Sequence, residues 1–138
     1  MAAAEAAPLF HMVQESLWTA AKASGKPYFP PTYEQDGFIH LTADARFLLG
    51  IGNHFYKSVP GNWLLLCLDP ARLTAKVAFE PAAPVGSTSS DGLTAEKEDA
   101  PLFPHLYGTI DYEAVRSELA IERDDSGAFL AIPSLGIR

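Results

Sequence analysis

Trp63-Leu64-Leu65-Leu66-Cys67-Leu68 is a continuously apolar run, preceded by the turn Pro60-Gly61-Asn62 and followed by Asp69-Pro70. Six apolar residues with no polar alternation predict a strand buried on both faces. Such a strand needs partners on either side and layers above and below it. Upstream, Leu9-Phe10-His11-Met12-Val13 reads as a first strand. Leu17, Trp18, Ala21 and Ser24 then recur at helical spacing, with Gly25 as the stop, which predicts a helix from about Glu15 to Ser24. Lys26 to Tyr33 holds three prolines and two tyrosines and reads as a loop forming one wall of a cleft. Gly37 to Leu41 is a compact apolar segment of β-favouring residues and predicts a strand. Thr42 is then placed to cap a helix with Phe47, Leu48, Ile51 and Phe55 on one face and Asp44 in its first turn.

Downstream of the apolar run, Asp69-Pro70 starts a single helical turn through Leu73, and Lys76 to Glu80 is a further strand. Residues 81–101, rich in Ala, Pro, Gly, Ser and Thr and ending in an acidic group, predict a flexible loop or insertion. A short helix is expected near Asp111 to Val115. A hairpin follows, in which Leu119 and Ile121 alternate with Glu118 and Glu122 and Asp124-Asp125-Ser126-Gly127 turns the chain. Strands interleaved with short helices, without repeated full-length crossovers, predict the α+β class. A chain of 138 residues has the size of one domain, with residues 1–8 expected as a disordered start.

Hydrophobic residues make up 48% and charged residues 20%, ordinary values for a globular protein. The 17 acidic and 10 basic residues give a net charge of -7, which repels phosphate backbones and anionic membranes. Long nucleic acid and membranes are therefore not expected as partners, while a small anion is. The single cysteine, Cys67, lies inside the apolar run and excludes an intramolecular disulfide and Cys-rich metal sites. No basic flank or membrane-length apolar run is present, so the expected address is the cytosol.

The chemistry-bearing residues are histidines: His11, His40, His54 and His105. Imidazole changes charge near neutral pH, so histidines on several strands around one cleft can move protons or hold an anion. His40 and His105 each follow an aromatic-x pair and precede Leu and then a hydroxyl residue, Thr42 or Tyr107. Strand alternation puts His40 and Thr42 on one face, where an imidazole and a hydroxyl can bind a phosphate oxygen and transfer a proton beside it. Pro104 suggests that the second segment is a strand edge. Glu80, closing its strand before Pro81, is the carboxylate expected to face the cleft. His54 reads as surface or packing. No His-x-x-x-His pattern, Gly-x-Ser-x-Gly elbow, Walker loop or Gly-x-Gly-x-x-Gly fingerprint occurs, so no metal site is expected.

The strings Asp36-Gly37-Phe38-Ile39-His40-Leu41-Thr42 and Leu102-Phe103-Pro104-His105-Leu106-Tyr107-Gly108 resemble the hallmark segments of the bacterial domain of unknown function 952 family. The likeness covers about residues 9 to 118 and includes Phe10-His11, Trp18 and Glu80. That family in turn resembles, in fold, ADP-ribosyltransferase-like proteins, especially RNA 2'-phosphotransferases. The resemblance implies two small, mainly antiparallel sheets split around a nucleotide cleft, a transferase-type activity, and NAD as the cofactor to consider. Arg46 is the basic residue nearest to His40 in the chain.

The expectation is thus a cleft binding or transforming a nucleotide, an ADP-ribose-like compound or another small phosphorylated metabolite. His40, His105 and Glu80 are the catalytic candidates. His11, Thr42, Tyr107, Arg46 and Phe38 are the substrate-binding candidates. Two other readings stay open: a two-histidine cyclic phosphoesterase, and a non-catalytic ligand-binding or interaction module.

Overall fold

The computed structural model describes residues 7–86 and 102–138. Most of the expected N-terminal tail (residues 1–8) and of the expected loop (residues 81–101) lies outside the described residues. In chain order the regular elements are β1 (Leu9–Gln14), α1 (Glu15–Ser24), α2 (Tyr33–Asp36), β2 (Ile39–His40), α3 (Leu48–Ile51), β3 (Trp63–Leu68), β4 (Lys76–Glu80), β5 (Phe103–Tyr107), β6 (Val115–Ala120), β7 (Glu122–Arg123) and β8 (Phe129–Ala131). The architecture is α+β with antiparallel sheets and few, short helices. One sheet runs β1-β3-β6, a second β2-β5-β4, and β7-β8 form a small hairpin. Among the described residues no helix is long and apolar enough to cross a membrane.

The apolar run Trp63–Leu68 is the central strand of the first sheet, and its alternation divides the core in two. Leu66 and Leu68 join Leu9 and Val13 from β1 and meet Ile39 and Leu106 of the second sheet, with Leu41 just beyond it. Trp63, Leu65 and Cys67 join Phe10 and Met12 on the opposite face, under Leu48, Phe129 and Ile132. Each fully buried aliphatic side chain contributes about 1.5–3 kcal/mol, so the two-sided burial explains why no polar residue interrupts this strand. Helix α1 closes the first core with Trp18, whose indole N–H donates to Glu118 at 2.9 Å. It ends at Gly25.

The two sheets meet along a seam that Pro104 creates. Contrary to the expectation of a strand edge, β5 is the middle strand of its sheet, and Pro104 is buried in it. The Leu41 N–H donates to the Pro104 carbonyl at 2.9 Å, but proline has no N–H to return the bond. The β2–β5 ladder therefore stops at His40. The chain crosses instead to the first sheet, where Thr42 and Phe10 exchange both backbone bonds at 2.8 Å. Residues 39–42 thus touch both sheets.

Three further expectations need correction. Thr42 is held in the seam and caps no helix. Asp44 caps instead, accepting from the Arg46 N–H at 2.9 Å at the start of a 3-10 turn over Ala45–Phe47. The expected regular helix is a 3-10 turn, a single α-turn and a widened π turn over Gly52–Tyr56. The widening seats Asn53, whose side chain exchanges bonds of 2.7 and 3.1 Å with the Phe129 backbone. It also seats Gly52, where a Cβ would lie 2.7 Å from the Met12 methyl. Finally, the hairpin starts later than expected: Glu118 and Leu119 belong to β6, which pairs with β3, and only Glu122–Arg123 pair with β8.

Candidate functional site

In the string Asp36 to Thr42, the short helix α2 ends at Gly37, whose φ of 82° lets its N–H reach back to the Tyr33 carbonyl at 2.7 Å. This reversal puts Asp36 under His40, four residues on. The His40 Nε2 lies 2.8 Å from the Asp36 carboxylate, so Nε2–H donates and Nδ1 is left as the acceptor. The Asp36 side chain is buried and its oxygens also accept from the Gly86 N–H at 3.0 and 3.2 Å. Burial lowers the His40 pKa from its ordinary value, outweighing the opposing pull of Asp36.

His105 sits directly opposite His40 in the antiparallel register. Because Leu41 bonds to Pro104, the neighbouring His40–His105 pair falls in the non-hydrogen-bonded phase, where facing side chains come closest. Their ring centroids are 5.7 Å apart and edge-on. The Phe38 ring stacks on His105 at 4.0 Å and lies 4.6 Å from His40, which buries His105 although it faces away from the main core. The His105 Nδ1–H donates to Glu80 at 2.8 Å, leaving Nε2 as the acceptor. The Tyr107 hydroxyl donates to the same Glu80 oxygen. These two bonds, Tyr107 first, hold the Glu80 carboxyl below its usual range, and Glu80 in turn raises the Tyr107 phenol.

His11 enters from the other sheet. The non-hydrogen-bonded phase turns the His40 carbonyl away from β5 and toward β1, and the His11 Nδ1–H takes it at 2.8 Å. The imidazole thereby continues across the seam where the backbone ladder ends. Burial lowers the His11 pKa to about 4, so the ring is neutral at pH 7, and its Nε2 has no partner among the described residues.

His40, Thr42 and His105 line one narrow cleft, closed by Met12, Ile51, Phe55 and Val85, with an interior volume of about 40 Å³. His11 lines a second cavity, which shares Met12, Phe55, Tyr56 and Val85 with the first. The structure thus brings His40, Thr42 and His105 to the cleft, while His11, Phe38, Glu80 and Tyr107 are bonded to or stacked on this group without lining the cleft itself. It leaves out Arg46, which is exposed and forked onto Asp44 at 2.7–3.1 Å. His54 packs edge-on against Phe55. Among the described residues no group of three or more His, Cys, Asp or Glu is placed to hold a metal ion.

Sequence reasoning missed Asp36, although it opens the string that carries His40, because its role needs the reversal at Gly37. It also missed Phe55, Tyr56 and Val85, whose apolar character reads locally as packing. Chemically, the arrangement is two imidazoles, each oriented by its own carboxylate and each presenting a bare ring nitrogen as a proton acceptor.

The fold is similar to that of protein CC0527 from Caulobacter crescentus. Its crystal structure is 22% identical, covers 88% of this chain and 92% of that one, and superposes with a TM-score of 0.59. Its solution NMR structure is 22% identical, covers 95% of each chain and gives a TM-score of 0.53. No curated protein matches the chain. Residues 12–118 match the family described as protein of unknown function (DUF952), a span that includes both histidine strings, and the chain belongs to that family.

Proposed function

We propose that the chain is a small acid–base enzyme of ADP-ribosyltransferase-like architecture, acting on a nucleotide-like or other small phosphorylated metabolite. The observation that supports it is the cross-strand pair His40 and His105, with rings 5.7 Å apart and a carboxylate 2.8 Å from each. A cleft of histidines without adjacent carboxylates would favour a passive binding module, whereas here each imidazole has its orienting anion. One ring takes a proton from the attacking group, and the other, once protonated, supplies one to the leaving group. Thr42 hydrogen-bonds the phosphate oxygen between them. The residues described around the cleft include no Lys or Arg. Among the described residues the pyrophosphate of NAD would lack cationic partners, so those residues do not fit that cofactor, and the reading is kept to ligands of low charge.

A two-histidine cyclic phosphoesterase is the second reading, favoured by the placement of both imidazoles on adjacent strands facing one cleft. Its second hydroxyl would be Tyr107, which is already committed to Glu80. A thermal-shift and turnover panel of nucleoside monophosphates and 2',3'-cyclic nucleotides tests both readings. A phosphorylated ligand is expected to raise the melting midpoint by mass action. His40→Gln and His105→Gln should each lower turnover by about 100-fold or more while keeping the fold. Absence of any ligand effect, or full turnover in either variant, defeats the proposal.

A further inference from the structure

Backbone phase fixes which way β4 turns its polar groups. In an antiparallel sheet the N–H and C=O of one residue point to the same neighbour, and successive residues alternate. Pro104 turns its carbonyl to Leu41, so the next residue, His105, turns its N–H and C=O the other way, to Ala78. Val77 and Phe79 therefore send theirs out of the sheet, because β4 is its last strand. Among the described residues nothing pairs with these four groups.

An open strand edge is a template for another strand, and charges or prolines along an edge usually prevent the pairing. In β4 the charges favour it. The strand reads Lys76-Val77-Ala78-Phe79-Glu80, with opposite charges at equal distances from Ala78. A two-fold axis at Ala78 makes this sequence its own antiparallel partner. Lys76 falls opposite Glu80 of the second copy, and Val77 falls opposite Phe79, on either side of the axis. Opposite charges, and an aromatic facing a β-branched residue, are both cross-strand pairs that stabilise antiparallel strands. The same register joins each Val77 to a Phe79 by both backbone bonds, so every outward group is used. An axis at Val77 or at Phe79 would satisfy only one such residue of each strand. Phe79, 53% exposed, would gain an apolar neighbour in the centred register.

We infer that two copies of the chain pair through β4 about a two-fold axis at Ala78, giving one six-stranded sheet in the order β2-β5-β4-β4-β5-β2. The pairing also changes the rim of the cleft. Lys76, Ala78 and Glu80 share the sheet face of Phe103 and His105, so each copy sets its Lys76 beside the Glu80 that holds His105 in the other. What that cation does for a phosphorylated ligand rests on the proposed function. The pairing itself does not.

Sedimentation velocity of the full chain from micromolar to millimolar concentration should show a mass rising from 14.9 kDa toward twice that value. Over the same range hydrogen exchange at the Val77 and Phe79 amides should slow, while Ala78, already bonded to His105, stays constant. Lys76 is exposed, and Lys76→Glu sets like charges opposite each other at both ends of the pairing. It should weaken the dimer by about tenfold or more. Phe79→Pro removes an outward N–H and leaves the ladder to β5 whole, so it should abolish the dimer. If that variant does not fold, Lys76→Glu still decides. A chain that stays monomeric at every concentration overturns the inference. So does a dimer that is indifferent to Lys76→Glu, or one in which the Val77 and Phe79 amides exchange as fast as in the monomer. None of these readings involves turnover, so a protein that dimerises through β4 without any activity separates failure of the acid–base reading from failure of this one.

Discussion

The two imidazole–carboxylate pairs face each other across one strand boundary and are built in opposite ways. Asp36 is buried, also holds the Gly86 N–H, and grips His40 by Nε2. Glu80 has a side chain 38% exposed, shares itself with Tyr107, and grips His105 by Nδ1. The buried pair ties the wall at Gly86 to the seam between sheets, so its geometry is part of the fold. The exposed pair hangs on the rim of the second sheet, where water competes for each bond. The two therefore differ in what each carboxylate supports: Asp36 the structure, Glu80 the tautomer of its imidazole.

Acidification is the strongest way to break this comparison. His11 titrates near 4 in the folded chain and near 6.5 in the unfolded one. Between those values the unfolded chain takes up a proton that the fold refuses, so stability is full above about pH 6.5 and is lost as pH falls toward 4. The loss from His11 is on the order of 3 kcal/mol, with His40 adding in the same direction. Glu80 acts lower: its depressed carboxyl contributes stability above its unfolded pKa and loses it only as pH falls through the folded value. Urea unfolding at pH 7.5, 6.5, 5.5 and 4.5 should show the decline beginning in the histidine range. A flat profile down to pH 5 would mean that the seam is open to water.

Removing the carboxylates comes next in size. Asp36→Ala strands the His40 N–H and the Gly86 N–H in a buried place and should cost about 2 kcal/mol in urea unfolding. Glu80→Ala vacates a half-exposed rim position where water can enter to replace the carboxylate on the buried His105, and its unfolding midpoint should fall less than that of Asp36→Ala. The reverse order would show that the rim, rather than the seam, holds the second sheet.

The legible parts of the molecule were those whose reasons are local. Trp63–Leu68 is apolar throughout because both its faces are covered, and Glu15–Ser24 carries its own period and its Gly25 stop. The two histidine strings stood out because each repeats an order of aromatic, imidazole and hydroxyl residue, and the structure pairs them on adjacent strands. What escaped depends on distant partners. Pro104 reads as a strand edge, yet its missing N–H is what ends β2 inside the sheet. Ile121 divides two strands because β6 has β3 as its partner, some fifty residues earlier in the chain. The π turn exists for Asn53 to reach Phe129, and His11 acquires its role only from a carbonyl of the opposite sheet. Arg46 was drawn to the site by its nearness in sequence, but Asp44 is closer and takes it.

The smallest effect tests the exposed pair alone. Tyr107→Phe removes the phenol bond, which is the first cause of the depressed Glu80 carboxyl, and leaves the His105 bond in place. The Glu80 pKa should rise toward the ordinary carboxylate value, read by ¹³C titration of its carboxyl, with little change in unfolding midpoint. His105 should keep its proton on Nδ1, read from the paired ¹⁵N shifts of its ring, because Glu80 still accepts it. In Glu80→Ala that selection is gone and the two tautomers should mix, while His40, held by Asp36, stays Nε2-protonated. If His105 keeps a single tautomer without Glu80, something other than the carboxylate orients it, and the two pairs are not equivalent proton-transfer units.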